Sequence, residues 1–278
     1  MTVKEVEVKP KPFLKWAGGK RSLAPTILKL FPRTIKTYYE PFVGGGAVFW
    51  SLPAAKYESV VLNDFNAELI NVYKVVRDFP DELLAQIKKF PVTKDFFLEL
   101  RAKSPDEFSP VRRAARTIFL NKTAFNGLFR VNKKGMFNAP WGKYRNPTIA
   151  DPGVIQACSD VLEHVKLTSL DFALAVKKAK AEDVVYFDPP YVEVSKTANF
   201  TSYTSAGFGL EAQQRLADCF RDLAKRGVAV IASNSDTPVV REMYADWEVH
   251  AVKARRAINS KGSARGPVGE LIIVGRPR

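Results

Sequence analysis

The chain has 278 residues, 46% of them apolar and 26% charged, with 43 Lys+Arg against 29 Asp+Glu, a net charge of +14. That length suits one large domain or two smaller ones, and the composition is that of an ordinary soluble globular protein. No apolar run approaches the ~20 residues needed to span a bilayer. "MTVKEVEVKPKPFLKW" lacks the apolar segment of a signal peptide, and the isolated Cys158 and Cys219, with only His164 and His250 beside them, exclude a disulfide framework, a zinc site and a histidine-based metal site.

In chain order, "TYYEPF" (37–42) reads as a strand, followed by glycines and a helical "AVFWSL" (47–52). A second strand, "SVVLND" (59–64), leads into a helical "AELINVYKVVRD" (67–78). Residues 81–123 carry helical patterns punctuated by Pro91, Pro105 and Pro110. Residues 124–146 are rich in Gly, Asn, Lys and aromatics, and "VNKKGMF" is suited to a hairpin turn. Alternation then resumes with a helix to Glu163, the strand "VKLTSL" (165–170), the helix "FALAVKKAKA" (172–181) and the strand "DVVYF" (183–187). A long polar stretch comes next, then a helix (210–226), the strand "VAVIAS" (228–233), a short helix, and the strands "WEVHAV" (247–252) and "ELIIVG" (270–275). Such alternation predicts an α/β fold, with a mostly parallel sheet covered by helices on both faces and an inserted region in the middle.

The positive charge is uneven. From Phe108 to Ala150 there is no Asp or Glu, while Arg112, Arg113, Arg116, Lys122, Arg130, Lys133, Lys134, Lys143 and Arg145 fall in that window. A second acid-free stretch, Val249 to Gly269, holds Lys253, Arg255, Arg256, Lys261 and Arg265. Basic zones interleaved with aromatics, Asn and Gly fit a surface that tracks nucleic-acid phosphates. They are too rich in Gly, Asn and Pro for the basic amphipathic helix that a membrane surface needs.

Two motifs carry chemistry. "EPFVGGGAVFW" puts Gly44, Gly45 and Gly46 at a strand-to-helix turn, where a backbone can pass close to a ligand. Asp64 ends the next strand, the place of a carboxylate that hydrogen-bonds ribose hydroxyls. There is no GxGxxG and no P-loop, so a nucleoside ligand without pyrophosphate fits better than a dinucleotide. "VVYFDPPY" (184–191) ends a buried strand in Asp188, Pro189, Pro190 and Tyr191. The carboxyl end of a parallel strand is where open α/β sheets bind ligands. Asp188 and the Pro189 carbonyl are two acceptors, held rigidly by the prolines. An exocyclic amino group offers two N–H donors, and Tyr191 a face on which its base can stack.

These motifs, together with "FLKWAGGK" (13–20), "FNGLFRVNKKGMFNAPWGKY" (125–144), "TANFTSY" (197–203), "IASNSD" (231–236) and "VKARRAINSKGSAR" (252–265), resemble the Dam-type DNA N6-adenine methyltransferases over nearly the whole chain. The order of glycine loop, basic insertion and DPPY is similar to the alpha arrangement of that class. The resemblance implies a Rossmann-like methyltransferase sheet in residues 1–66 and 150–278, with a helical and hairpin target-recognition domain in 67–149. It implies S-adenosylmethionine as methyl donor and no metal. Trp16, Lys20, the loop with Phe42, Gly44 and Gly46, Asp64 and Asp188 match the family's cofactor contacts, and Asp171 is a further candidate. Asp188, Pro189 and Tyr191 form the catalytic set.

The partner implied is double-stranded DNA, with adenine drawn out of the duplex. By residue type, Arg130 suits guanine O6 and N7, Leu128 and Pro140 suit a thymine methyl, and Phe125 can wedge into the stack. The resemblance adds Lys15 and Tyr144 at the first base pair, and Asn126 as a further DNA contact. Asn132 suits a phosphate. GATC is the site expected. Two departures stand out: Phe125 where close relatives carry tyrosine, and Phe129 where a smaller residue is common. A packing role for Leu128 and Phe129 inside the hairpin stays open. Residues 192–209 are expected to form a loop that closes over the flipped base. An N4-cytosine methyltransferase, which more often has Ser at the place of Asp188, and a non-catalytic DNA-binding module are the alternatives. A cytoplasmic, nucleoid-associated monomer is the default.

Overall fold

The computed structural model describes residues 8–132, 135–191, 208–255 and 267–276. In chain order the elements are α1 (Ala24–Leu28), β1 (Ile35–Glu40), β2 (Tyr57–Asn63), α2 (Ala67–Asp78), α3 (Pro80–Lys88), α4 (Lys94–Ala102), α5 (Pro110–Thr123), α6 (Pro152–Leu162), β3 (Val165–Thr168), α7 (Phe172–Ala175), β4 (Val184–Phe187), α8 (Leu210–Lys225), β5 (Ala229–Ser235), α9 (Pro238–Met243), β6 (Glu248–Arg255) and β7 (Pro267–Gly275). Residues 192–207 of the expected closing loop, the whole "TANFTSY" motif and much of the second basic stretch lie outside the described residues.

The chain divides into two units. The first comprises Met1–Gly19, Gly44–Trp50 and Asn66–Ser169. Its core is helical. Asn66 starts α2 by accepting the N–H groups of Glu68 and Leu69, so the first-turn donors have a partner. Leu69, Ile70, Val72, Tyr73 and Val76 then face inward, and α2 packs against α5, whose Ala114, Ala115, Ile118 and Phe119 are fully buried. Each such large side chain contributes roughly 1.5–3 kcal/mol on burial. Arg116 is buried in this core. Its guanidinium donates to the carbonyls of Leu100 (3.1 Å) and Lys103 (2.9 Å), which satisfies the end of α4.

The second unit comprises Lys20–Val43, Ser51–Phe65 and Leu170–Arg278. Six of the seven strands among the described residues belong to it, in the order β2-β1-β4-β5-β7-β6. The strands β2, β1, β4 and β5 are parallel, with Tyr39 opposite Val185 and Phe187 opposite Ala232. Every residue of β4 is buried, as its unbroken apolar run requires. On one face, Val185, Phe187, Val230, Ala232, Leu271 and Ile273 pack against Leu216, Phe220 and Leu223 of α8. The last strand, β7, runs antiparallel to β5 and places Glu270 opposite Ser235. Its reversed direction brings a residue near its start to the edge where β1, β4 and β5 end.

Two expected helices differ. "AVFWSL" makes only a 3-10 turn, Phe49–Ser51, because Pro53 follows and restricts the residue before it. "FALAVKKAKA" stops at Ala175. The carbonyls of Lys177 and Ala179 accept Arg226 Nη1 instead, at 3.1 and 3.0 Å, and Asp183 accepts the N–H of Lys180. The 12-residue helix read at 67–78 and the hairpin read at "VNKKGMF" both form, the latter closed by an antiparallel bridge between Val131 and Phe137.

Candidate active site and nucleic-acid interface

The chemistry of the second unit gathers at the carboxyl edge of its parallel strands. The fully apolar β4 ends at Phe187, so Asp188 emerges where the strand leaves the core, with 20% of its side chain exposed. Its Oδ1 lies 2.8 Å from Lys20 Nζ, and the same ammonium lies 3.2 Å from Glu270 Oε1. Lys20 is 5% exposed. Tyr191 donates its hydroxyl proton to Glu270, and Lys20 Nζ sits 4.7 Å from the centre of the Tyr191 ring. One cation thus holds two carboxylates, and one carboxylate holds the aromatic ring of DPPY.

The electrostatics follow from burial. Burial pushes the Asp188 carboxyl up from 3.8 to about 6, against the pull of Lys20 and with help from the neighbouring charge of Glu270. For Lys20, burial acts to lower the pKa, but Asp188 and Glu270 outweigh it and the ammonium is held above its usual range. The Tyr191 phenol is pushed far up by burial and by the two carboxylates, so it stays neutral.

The proline loop is braced from behind. Gln213 of α8, fully buried, donates to the Pro190 carbonyl at 2.9 Å and accepts from Asn234 Nδ2 at 2.9 Å. The Pro190 carbonyl is therefore taken up by the protein, while Pro189 is buried. Sequence reasoning singled out neither Glu270 nor Gln213. Both had a legible signal: an acid inside the apolar "ELIIVG", and a glutamine on the apolar face of α8 in step with Leu216, Phe220 and Leu223.

The other expected residues of this unit cluster around the ends of β1 and β2. Phe42 packs on Phe172 and Phe208, each at 5.5 Å. Asn63 donates to the carbonyls of Pro41 and Leu170 and accepts the Leu170 N–H, so the β2 end with Asp64 is knitted to the segment entering α7. Phe65, next to Asp64, is 79% exposed, an aromatic face that sequence reasoning did not single out. Asp171 is engaged within the protein. It caps α7 through the Ala173 N–H at 3.0 Å and takes Arg215 Nη2 on both oxygens at 3.1 Å. A groove lined by Lys36, Tyr57, Asp183 and Ala229 lies at the amino ends of these strands, the opposite end from Asp188.

In the first unit, Trp16 lies against the glycine turn. Gly44 has φ +49, and a Cβ there would come within 2.7 Å of Trp16 Cδ1, so the turn closes over the indole only with glycine. Gly46 lies beside Trp50 and Tyr73, and the Tyr73 hydroxyl donates to the Gly44 carbonyl at 3.0 Å. Trp16 also stacks on Phe129, with centroids 5.1 Å apart and planes at 26°. Phe129 is thus a packing residue, although it and Leu128 are both only half-buried.

The hairpin of this unit carries the expected DNA residues. Phe125 is 44% exposed, and its N–H donates to the Pro140 carbonyl at 2.8 Å, which sets those two residues side by side. Asn126 takes a left-handed conformation, φ 54. Arg130 is exposed and is steadied by Asn138, its Nε donating to Oδ1 at 2.7 Å and its Nη2 to the Asn138 carbonyl at 2.9 Å. Lys15 Nζ sits 4.4 Å above the Tyr144 ring. Asn132 accepts the N–H of Met136 at 3.1 Å and helps close the turn.

Comparison with known proteins shows the family. A family model for D12 class N6 adenine-specific DNA methyltransferase matches residues 16–258. The chain is 44% identical over 271 residues to the Type II methyltransferase M1.LlaDCHI of Lactococcus lactis subsp. cremoris, covering 95% of this chain and 94% of that protein. It is 40% identical to the Type II methyltransferase M.MjaIII of Methanocaldococcus jannaschii, with 95% and 98% covered. It is 36% identical to the DNA adenine methylase of Escherichia coli K12, with 97% and 96% covered. With DPPY at the end of a central parallel strand and a match of this extent, the chain belongs to the D12 class of N6-adenine-specific DNA methyltransferases.

Proposed function

We propose that this enzyme methylates N6 of adenine in GATC sequences of duplex DNA, with S-adenosylmethionine as donor and the target base turned out of the helix. The observation that carries the reading is Asp188 at the mouth of β4, paired with buried Lys20 and followed by the rigid Pro189 carbonyl. When bound, S-adenosylmethionine supplies a methyl group on a positively charged sulfur.

The residues present fit that donor. Trp16, seated against Gly44, presents an indole face. Asp64 suits the ribose hydroxyls and Phe65 offers its exposed ring to an adenine. Lys20 is a buried ammonium suited to a carboxylate. Phe42, Gly46 and Asp171 shape the ends of their strands and turns in this reading.

The amino nitrogen of adenine is a poor nucleophile because its lone pair is delocalised into the ring. Asp188 and the Pro189 carbonyl accept its two N–H groups and draw the nitrogen toward a tetrahedral geometry. Tyr191, tied down by Glu270, supplies a stacking face for the base. The groups are fixed before the base arrives, so little reorganisation is needed as charge develops on the nitrogen. The proton lost from that nitrogen passes to water.

Residues 67–149 act as target-recognition domain. Arg130 reads guanine, Leu128 and Pro140 meet a thymine methyl, Phe125 wedges into the stack and Lys15 with Tyr144 takes the first base pair. Asn126 and Asn132 contact the backbone. The test is methyl transfer from labelled S-adenosylmethionine to two duplexes of equal composition, one with GATC and one with GTAC. Label on adenine N6 in the first alone is expected. Equal label in both overturns the GATC assignment, and label on cytosine N4 overturns the target atom.

A further inference from the structure

Asn121 lies in the last turn of α5 and is fully buried. Its Oδ1 accepts the Lys15 N–H at 2.9 Å, and its Nδ2 donates to the carbonyls of Lys15 (2.7 Å) and Gly127 (2.9 Å). Both amide protons and one acceptor position are thus spent on joining two segments far apart in sequence. Gly127, at φ +64, has no room for a Cβ against the Lys15 side chain, so the Lys15 stem packs directly on the glycine. Just beyond these two segments, one residue past Lys15 and two past Gly127, Trp16 stacks on Phe129. Phe129 in turn meets Phe137 edge-on at 5.7 Å, and Phe137 forms the antiparallel bridge that closes the hairpin. A continuous path of hydrogen bonds and ring contacts therefore runs from Trp16 to the base of the hairpin, all within the first unit.

We propose that Asn121 and Phe129 are positioning residues that couple methyl-donor binding at Trp16 to the posture of the DNA-reading hairpin. This rests on the assignment of Trp16 to the donor and of Phe125, Leu128 and Arg130 to DNA. A ligand that pins the indole also pins Phe129, and with it the strand that carries Arg130. Binding free energies are reciprocal, so DNA that orders the hairpin tightens donor binding by the same factor.

The test measures the affinity of S-adenosylhomocysteine with and without a GATC duplex, and of the duplex with and without S-adenosylhomocysteine. The wild-type protein is expected to show the same enhancement in both directions, on the order of tenfold. In Phe129→Ala the enhancement is expected to fall toward one, while each ligand alone still binds and kcat at saturating ligands changes little. Phe129→Tyr, which keeps the stack, restores it. Asn121→Asp, which keeps the acceptor for Lys15 and loses the donors, is expected to weaken coupling as Phe129→Ala does. An unchanged enhancement in Phe129→Ala overturns the proposal. A wild-type protein that binds both ligands with no enhancement overturns it too and leaves the methyltransferase reading intact. A wild-type protein that binds no S-adenosylhomocysteine overturns the donor assignment and the coupling with it.

Discussion

The carboxyl edge of the second unit and the hairpin of the first are built on opposite principles. Around Asp188 the side chains are buried and locked to one another: Lys20 and Glu270 are each 5% exposed, and Gln213 is fully buried. Around Arg130 the side chains proposed to read DNA are exposed or half-buried, and Arg130 is steadied by one asparagine. The first region has to stabilise a small charge displacement, which works best where fixed dipoles replace water. The second, in the proposed reading, meets a hydrated polyanion, where charged and aromatic groups must be reachable before contact.

The sharpest way to break this comparison is Asp188→Ala. It should lower kcat by about 10²–10³ or more, as removal of a principal charge-stabilising group does. Specific DNA binding in a filter or anisotropy assay should survive. Methylation near the wild-type rate would remove Asp188 from the chemistry. Next in size is Lys20→Met, which leaves Asp188 and Glu270 facing each other with no cation. A loss of about 3–5 kcal/mol in unfolding free energy is expected by denaturant titration. Arg130→Ala, in the exposed region, should leave stability unchanged and weaken discrimination at one guanine by about 1–3 kcal/mol, read as a kcat/KM ratio between cognate and substituted duplexes.

The smallest effect is on pH dependence. The groups facing Asp188 are Lys20, Glu270 and the phenols of Tyr38, Tyr186 and Tyr191. With its pKa raised to about 6, Asp188 gains a proton as pH falls through that value and loses its power as an acceptor. The kcat/KM profile should therefore fall on the acid side near that pH. Glu270→Gln removes a like charge and should move this limb to lower pH, whereas a limb that stays put would separate Glu270 from the titration. The stability effect has the opposite sign. Because the folded value lies above 3.8, the contribution of Asp188 is greatest below that pH and is lost as pH rises through about 6.

Much of the site was legible because its signals are local. "VVYFDPPY" announces itself through a run of apolar residues broken by an acid and two prolines, and β4 ends where that run ends. The helix at 67–78 was legible through its period and its Asn66 cap. The truncation of "FALAVKKAKA" was not, because Arg226, nearly fifty residues away, takes the carbonyls that a longer helix would have used. Phe129 was noted as a departure, but its stacking partner was invisible, since Trp16 lies over a hundred residues earlier.

By itself, then, the sequence determined the alternation of elements, the carboxylate at a strand end, the glycine turn and the acid-free basic insertion, since each is written in neighbouring residues through period, backbone freedom or charge. Tertiary structure alone decided which charges share a buried space. Lys20, Asp188 and Glu270 are separated by 168 and 82 positions, yet lie within 2.8 and 3.2 Å of one ammonium because the antiparallel course of β7 brings its first half to the edge where β4 ends. That meeting, rather than any one of the three residues, fixes Tyr191 and sets the charges around an Asp188 carboxyl that burial raises, and it depends on strand order and direction, which no local pattern encodes.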